Sequence, residues 1–217
     1  MNRKIIVSFF FTLLISISLF YFDFGLGSFT VILLTLFILL ISYIEYGNEL
    51  FASLGFQKKK LTPINLLVYA PFTAFIMLLA YRFLLLPLVT YYTQVPINID
   101  DFDFLKGNLP QLIILLPFVW VSAAFGEEII FRGYFMTRFT KIFGSQKIPT
   151  FINIIIFAIF FGLIHSYQGI TGQILSGITG GIIATIFYFR KNDLWFSIVV
   201  HGMIDTLAFI GIYFNIF

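Results

Sequence analysis

Six side chains in the carboxyl-terminal half of this 217-residue sequence have the types and spacings that chemistry needs. Glu127 and Glu128 are adjacent, and Arg132 follows four residues after Glu128. His165 closes the run Phe161-Gly162-Leu163-Ile164-His165. His201 and Asp205 stand four apart in His201-Gly202-Met203-Ile204-Asp205, and these two histidines are the only ones in the chain. On a helix Glu128 and Arg132 share a face in the favourable acid-before-base order, whereas Glu127 points about 100° away. We therefore expect Glu128 and Arg132 to form an ion pair that orients the helix and leaves Glu127 free to work. Asp205, on the same helical face as His201, is placed to hold that ring's second nitrogen or to act as a ligand itself. Each segment alone has a bland reading, as a charged helix end or an interfacial histidine. Together they gather ionisable groups within apolar runs, where such groups normally mark a working site.

Two chemistries fit these residues. Glu127, His165 and His201 form a two-histidine, one-carboxylate set like that of many hydrolytic zinc sites, with a fourth position for water. The zincin HExxH helix is absent, so the ligands would come from three separate helices. Without metal, Glu127 and His165 would deprotonate water while His201 and Asp205 stabilise an oxyanion. The residues alone leave both open.

The elements that must position these groups are membrane helices. The chain is 60% hydrophobic and only 11% charged, far below the roughly 25% charge of soluble domains, and its mean hydropathy is +1.01. Its apolar runs are continuous and close to helix-spanning length, which excludes the alternating strands of a membrane β-barrel. The expected fold is all-α: a polytopic transmembrane bundle of seven or eight spans in a single domain, 1–217, with the motifs in 109–217. Seven windows stand out, at 5–22, 26–44, 64–88, 109–128 with a helical continuation, 150–165, 171–189 and 194–214. An eighth would lie in the long third region or in 133–143. The first run lacks a small-residue cleavage site and reads as a retained span. In the sixth, Gly172, Ser176, Gly180 and Ala184 recur every fourth residue beside Gly177 and Gly181, the pattern of close helix packing in lipid.

There is no cysteine, which removes disulfide and thiolate chemistry. The net charge of +3 sits in short loops and forms no nucleic-acid-binding face. Placing the amino terminus in the cytoplasm puts Arg3, Lys4, Lys58, Lys59, Lys60, Arg132, Arg138, Lys141, Lys147, Arg190 and Lys191 on or near that side. Only Arg82 and Lys106 fall elsewhere, and Asp100, Asp101 and Asp103 lie opposite. With these boundaries, however, straight helices would hold Glu127 and His165 at opposite depths.

The ordered set EExxxR, FxxxH and HxxxD over residues 109 to the end resembles the three motifs of the CPBP family. These are the CAAX-protease and bacteriocin-processing, or Abi, intramembrane proteases, which include the CAAX prenyl endopeptidases. The LGF run at 54–56, followed by lysines, is similar to that family's cytoplasmic loop. The resemblance implies peptide-bond hydrolysis in or beside the bilayer of a cell membrane. It implies Glu127 as the water-activating carboxylate, His165 and His201 as its partners, zinc as an optional cofactor, and a membrane-associated or prenylated peptide as substrate. It also carries an association with bacteriocin immunity, a non-catalytic alternative. Asp205 departs from the asparagine common at the end of the third motif. That change favours a metal-binding or histidine-orienting role over a purely hydrogen-bonding one.

Overall fold

The computed structural model describes residues 3–22 and 29–216. It is 87% helical, with no strand among the described residues. Seven helices are long and apolar enough to cross a membrane: α1 (Arg3–Tyr21), α2 (Phe29–Tyr46), α3 (Asn65–Thr93), α4 (Leu109–Phe143), α5 (Lys147–Ile164), α6 (Gly169–Phe189) and α7 (Leu194–Tyr213). Each closes its backbone hydrogen bonds within itself, as a lipid-embedded chain must. The first residues of the expected second span, 26–28, lie outside the described residues.

The largest boundary difference is in α3, which runs five residues further than expected, to Thr93. Helix α4 continues past the charged pair, as expected, and reaches Phe143, so the 133–143 segment is that continuation and not an eighth span. Charge ordinarily ends a membrane helix. Here Glu128 and Arg132 neutralise each other, which lets the helix run on through the protein interior. Helix α4 is the centre of the bundle, and every residue from 126 to 139 is buried. Ile129, Ile130, Phe131, Tyr134 and Phe135 pack on Leu34 and Ile38 of α2, Phe157 of α5 and Phe187 of α6.

Proline and capping chemistry shape the helices locally. Asn108 caps α4, its Oδ1 accepting from Gln111 N at 3.4 Å, with Pro110 in the first turn. Asp193 caps α7 in the same way, accepting from Phe196 N at 3.3 Å. In α3 wide π-type turns occupy Asn65–Tyr69 and Tyr81–Leu85, two residues ahead of Pro71 and Pro87, which lack the N–H a regular turn would use. Helix α4 is wide over Trp120–Glu127 and Ile129–Met136, beginning one turn after Pro117. Such turns are uncommon and recur at functional sites.

The end of the bundle that carries most lysines and arginines is closed. Arg138 is fully buried. It pairs with Glu45 of α2 at 2.9 Å and donates to the Ser53 carbonyl at 2.9 Å and the Ser42 hydroxyl at 3.1 Å. Beside it, Gly55 O accepts from Leu194 N at 3.1 Å. Gly55 has φ +95°, and a Cβ there would meet Asn192 O at 2.7 Å, so this contact requires glycine twice over. Gln57 caps the Asn192 carbonyl at 3.0 Å. The loop carrying Leu54-Gly55-Phe56 thus forms a base beneath α4 and α7.

Candidate active site

The expected ion pair is present: Arg132 Nη1 lies 3.0 Å from Glu128 Oε1, with both side chains buried. Its setting exceeds the expectation. Arg132 Nη2 donates to the Gly180 carbonyl of α6 at 2.6 Å, and its guanidinium sits 4.9 Å from the centre of the Phe161 ring of α5. The same Glu128 Oε1 accepts from His201 Nδ1 of α7 at 2.9 Å. Glu128 and Arg132 therefore tie α4 to α5, α6 and α7 at one point.

The bond from Glu128 to His201 Nδ1 was not expected, and it leaves Asp205 facing the ring's other nitrogen. A carboxylate only accepts, so Nδ1 carries the proton and the ring orientation is fixed. His201 Nε2 then faces two carboxylates, Asp205 Oδ2 at 3.6 Å and Glu127 Oε2 at 4.0 Å. Among the described residues Glu127 Oε2 has no hydrogen-bond partner, although it is buried. Glu128 is engaged through Oε1 alone, and its Oε2, like Glu127 Oε2, has no hydrogen-bond partner among the described residues.

His165 begins the short link between α5 and α6. Its Nδ1 contacts the Phe161 carbonyl one turn earlier at 2.7 Å, which makes Nδ1 the donor and leaves Nε2 with a lone pair. The Phe161 ring packs against both histidines, with its centre 4.7 Å from His165 and 5.9 Å from His201. Glu127, His165, His201 and Asp205 line one cavity of about 380 Å³. The depth conflict disappears because α4 is longer than expected. Glu127 lies near its middle, and its outward neighbours Ala123 and Val119 line the same cavity up toward His165.

Among the described residues no three His, Asp or Glu side chains gather closely enough to hold a metal. His201 is committed to Glu128 through Nδ1, and the Phe161 ring packs against both histidines.

Glycines make the close packing around the site feasible. A Cβ on Gly202 would lie 2.8 Å from the Trp120 ring, and one on Gly180 would lie 2.8 Å from Phe161. Trp120 Nε1 donates to Thr206 at 3.0 Å and braces α4 against α7. The small residues of α6 divide into two roles. Gly177 and Gly181 approach Ala158 of α5, while Gly180 offers its carbonyl to Arg132. Sequence reasoning missed the contribution of α3, whose Tyr81 and Arg82 line the cavity with Tyr167 and Gln168. Arg82 had counted only as an exception to the charge pattern, yet a cation in the midst of an apolar span is itself a site signal.

No curated protein and no solved structure matches the chain. Residues 109–207 match the family model described as type II CAAX prenyl endopeptidase Rce1-like, and the match spans all six residues above. The motif-bearing segment of this chain is therefore similar to that Rce1-like family.

Proposed function

We propose that this protein is an intramembrane endopeptidase that hydrolyses a peptide bond in a membrane-associated or lipidated peptide, with water activated by Glu127. The observation that carries this reading is the buried, unpartnered Glu127 Oε2 at the cavity wall, 4.0 Å from His201 Nε2. A buried carboxylate oxygen without a partner costs free energy that folding does not recover. Glu128 also leaves its Oε2 unpartnered, but its Oε1 is bonded to both Arg132 and His201, whereas neither Glu127 oxygen lies nearer to His201 Nε2 than 4.0 Å.

In the proposed reaction Glu127 takes a proton from water, and the resulting hydroxide adds to the peptide carbonyl carbon. His165, with its Nε2 lone pair toward the cavity, helps to orient that water. Negative charge forms on the carbonyl oxygen, which a proton on His201 Nε2 would stabilise, with the ring held by Glu128. The C–N bond then breaks as Glu127 returns its proton to the leaving nitrogen, so atoms and charges balance. Asp205 takes part through the ring face it shares with Glu127. In the zinc-assisted variant Glu127, His165 and His201 would be the ligands, and they would have to draw closer together than they stand here. The metal would supply a more acidic water.

Glu127→Gln is expected to lower cleavage of a membrane-anchored reporter peptide by about 10²- to 10⁴-fold while leaving thermal unfolding unchanged. Undiminished cleavage would sink the assignment. The residue-only mechanism further requires activity to survive exhaustive chelation. Zinc that leaves with the activity and restores it would replace that mechanism with the metal-assisted one.

A second reading, a non-catalytic bacteriocin-immunity or partner-binding protein, has one supporting observation. Glu128, Arg132 and His201 are mutually bonded, so folding alone would retain them. Glu127 separates the two readings, because the fold asks nothing of it. We also propose a cell-membrane location with the amino terminus in the cytoplasm, on the distribution of lysine and arginine. Arg132 no longer contributes to that count, since it is buried at the site. The remaining basic residues of the loops keep the same bias.

A further inference from the structure

The cavity holding Glu127 has a direction. Its lining draws Leu78, Arg82 and Leu86 from the later half of α3, Leu115 and Val119 from the earlier half of α4, and Phe209 and Ile212 from the end of α7. The connecting segments contribute too: Ile97, Ile99 and Phe102 between α3 and α4, and Tyr167 and Gln168 between α5 and α6. All of these lie toward the same end of the bundle. Phe102 turns inward over the site, its ring 5.1 Å from Phe209, whereas the neighbouring Asp100, Asp101 and Asp103 are exposed. No lining residue comes from the lysine- and arginine-bearing loops at the other end. That end is closed by Arg138 on Glu45 and Ser53, and by Gly55 against Asn192 and Leu194.

We infer that the site is entered from the face opposite the basic loops, so that with the amino terminus inside, its substrate is an exported or membrane-inserted peptide presented from the extracytoplasmic side, and not a prenylated protein of the cytosol. This rests on the endopeptidase reading above and on its orientation. Basic residues within short loops set which side stays in the cytoplasm. A peptide approaching from that side would have to displace a buried ion pair and the packed base. From the other side it meets an apolar-walled opening lined by Leu78, Leu86, Ile97 and Phe102, which suits a scissile bond flanked by apolar residues.

The absence of cysteine makes this testable by single-cysteine labelling with a membrane-impermeant maleimide, in intact host cells and again after permeabilisation. Asp101→Cys at the rim and Ala208→Cys in the cavity are expected to label in intact cells. Lys59→Cys on the basic face is expected to stay protected until permeabilisation. The reverse pattern overturns the inference. So does an Ala208→Cys that labels only after permeabilisation while Asp101→Cys labels from outside. Should Ala208→Cys resist the reagent in both states, the exposed Tyr167→Cys at the mouth decides by the same comparison. Labelling needs no turnover, so it separates the two hypotheses. Cleavage with entry from the basic face would refute this inference alone, whereas outward labelling with no cleavage by the wild-type chain would refute the endopeptidase reading.

Discussion

Two consecutive glutamates show how far a residue's role was legible in advance. Helical spacing correctly paired Glu128 with Arg132 and left Glu127 unpaired, because side-chain direction follows from local geometry. The bond from Glu128 to His201 was not legible. It joins residues 73 apart, and only the packing of α4 on α7 makes it. That bond makes Glu128 a positioning residue for the ring that faces Glu127. Arg132→Ala is expected to cost about 3–5 kcal/mol of stability, since it strands a buried carboxylate, and to reduce the yield of folded protein in detergent. Normal yield and an unshifted melting temperature would contradict the role given to this pair. Because Arg132 also reaches Gly180 O and the Phe161 ring, lysine at this position should restore only part of the loss, as it lacks the planar fork.

At the scale of elements, hydropathy found all seven helices and the continuation of α4 past its charged pair, but not how far that continuation runs. A window scan treats charge as an exit from the membrane. The mutual neutralisation that carries α4 on to Phe143 depends on partners that a window cannot see. The glycine pattern of α6 was read correctly as close packing, but its sharpest counterpart stands elsewhere, where Gly202 lets α7 approach the face of Trp120. Gly202→Ala is expected to destabilise by about 1–3 kcal/mol through overpacking, read as a lower melting temperature. Combining it with Trp120→Leu should recover part of the loss, because the smaller side chain leaves room for the added methyl group. A double variant whose destabilisation is simply the sum of the two singles would show that the two sites do not touch. The wide turns of α4 from Trp120 to Met136 bracket Glu127 and Glu128, where the helix trades regular spacing for the placement of these side chains.

The molecule as a whole is a bundle open at one end and closed at the other, and the closed end depends on a clasp far from the motifs in sequence. Arg138→Met is expected to cost about 3–5 kcal/mol by leaving Glu45 buried without its partner, with turnover per folded molecule unchanged because the cavity does not extend there. Adding Glu45→Gln should relieve much of that cost, and a double-mutant cycle in thermal unfolding measures how much. The clasp also bears on how the chain is made. Each span enters the bilayer during synthesis in its turn, and Glu45 sits in the last turn of α2, beside the basic loop. Glu45 is made well before Arg138, so its carboxylate has no partner until α4 is synthesised. The amino-terminal spans, which lie outside the matched segment, thus carry one half of a buried ion pair that only the motif-bearing segment can complete.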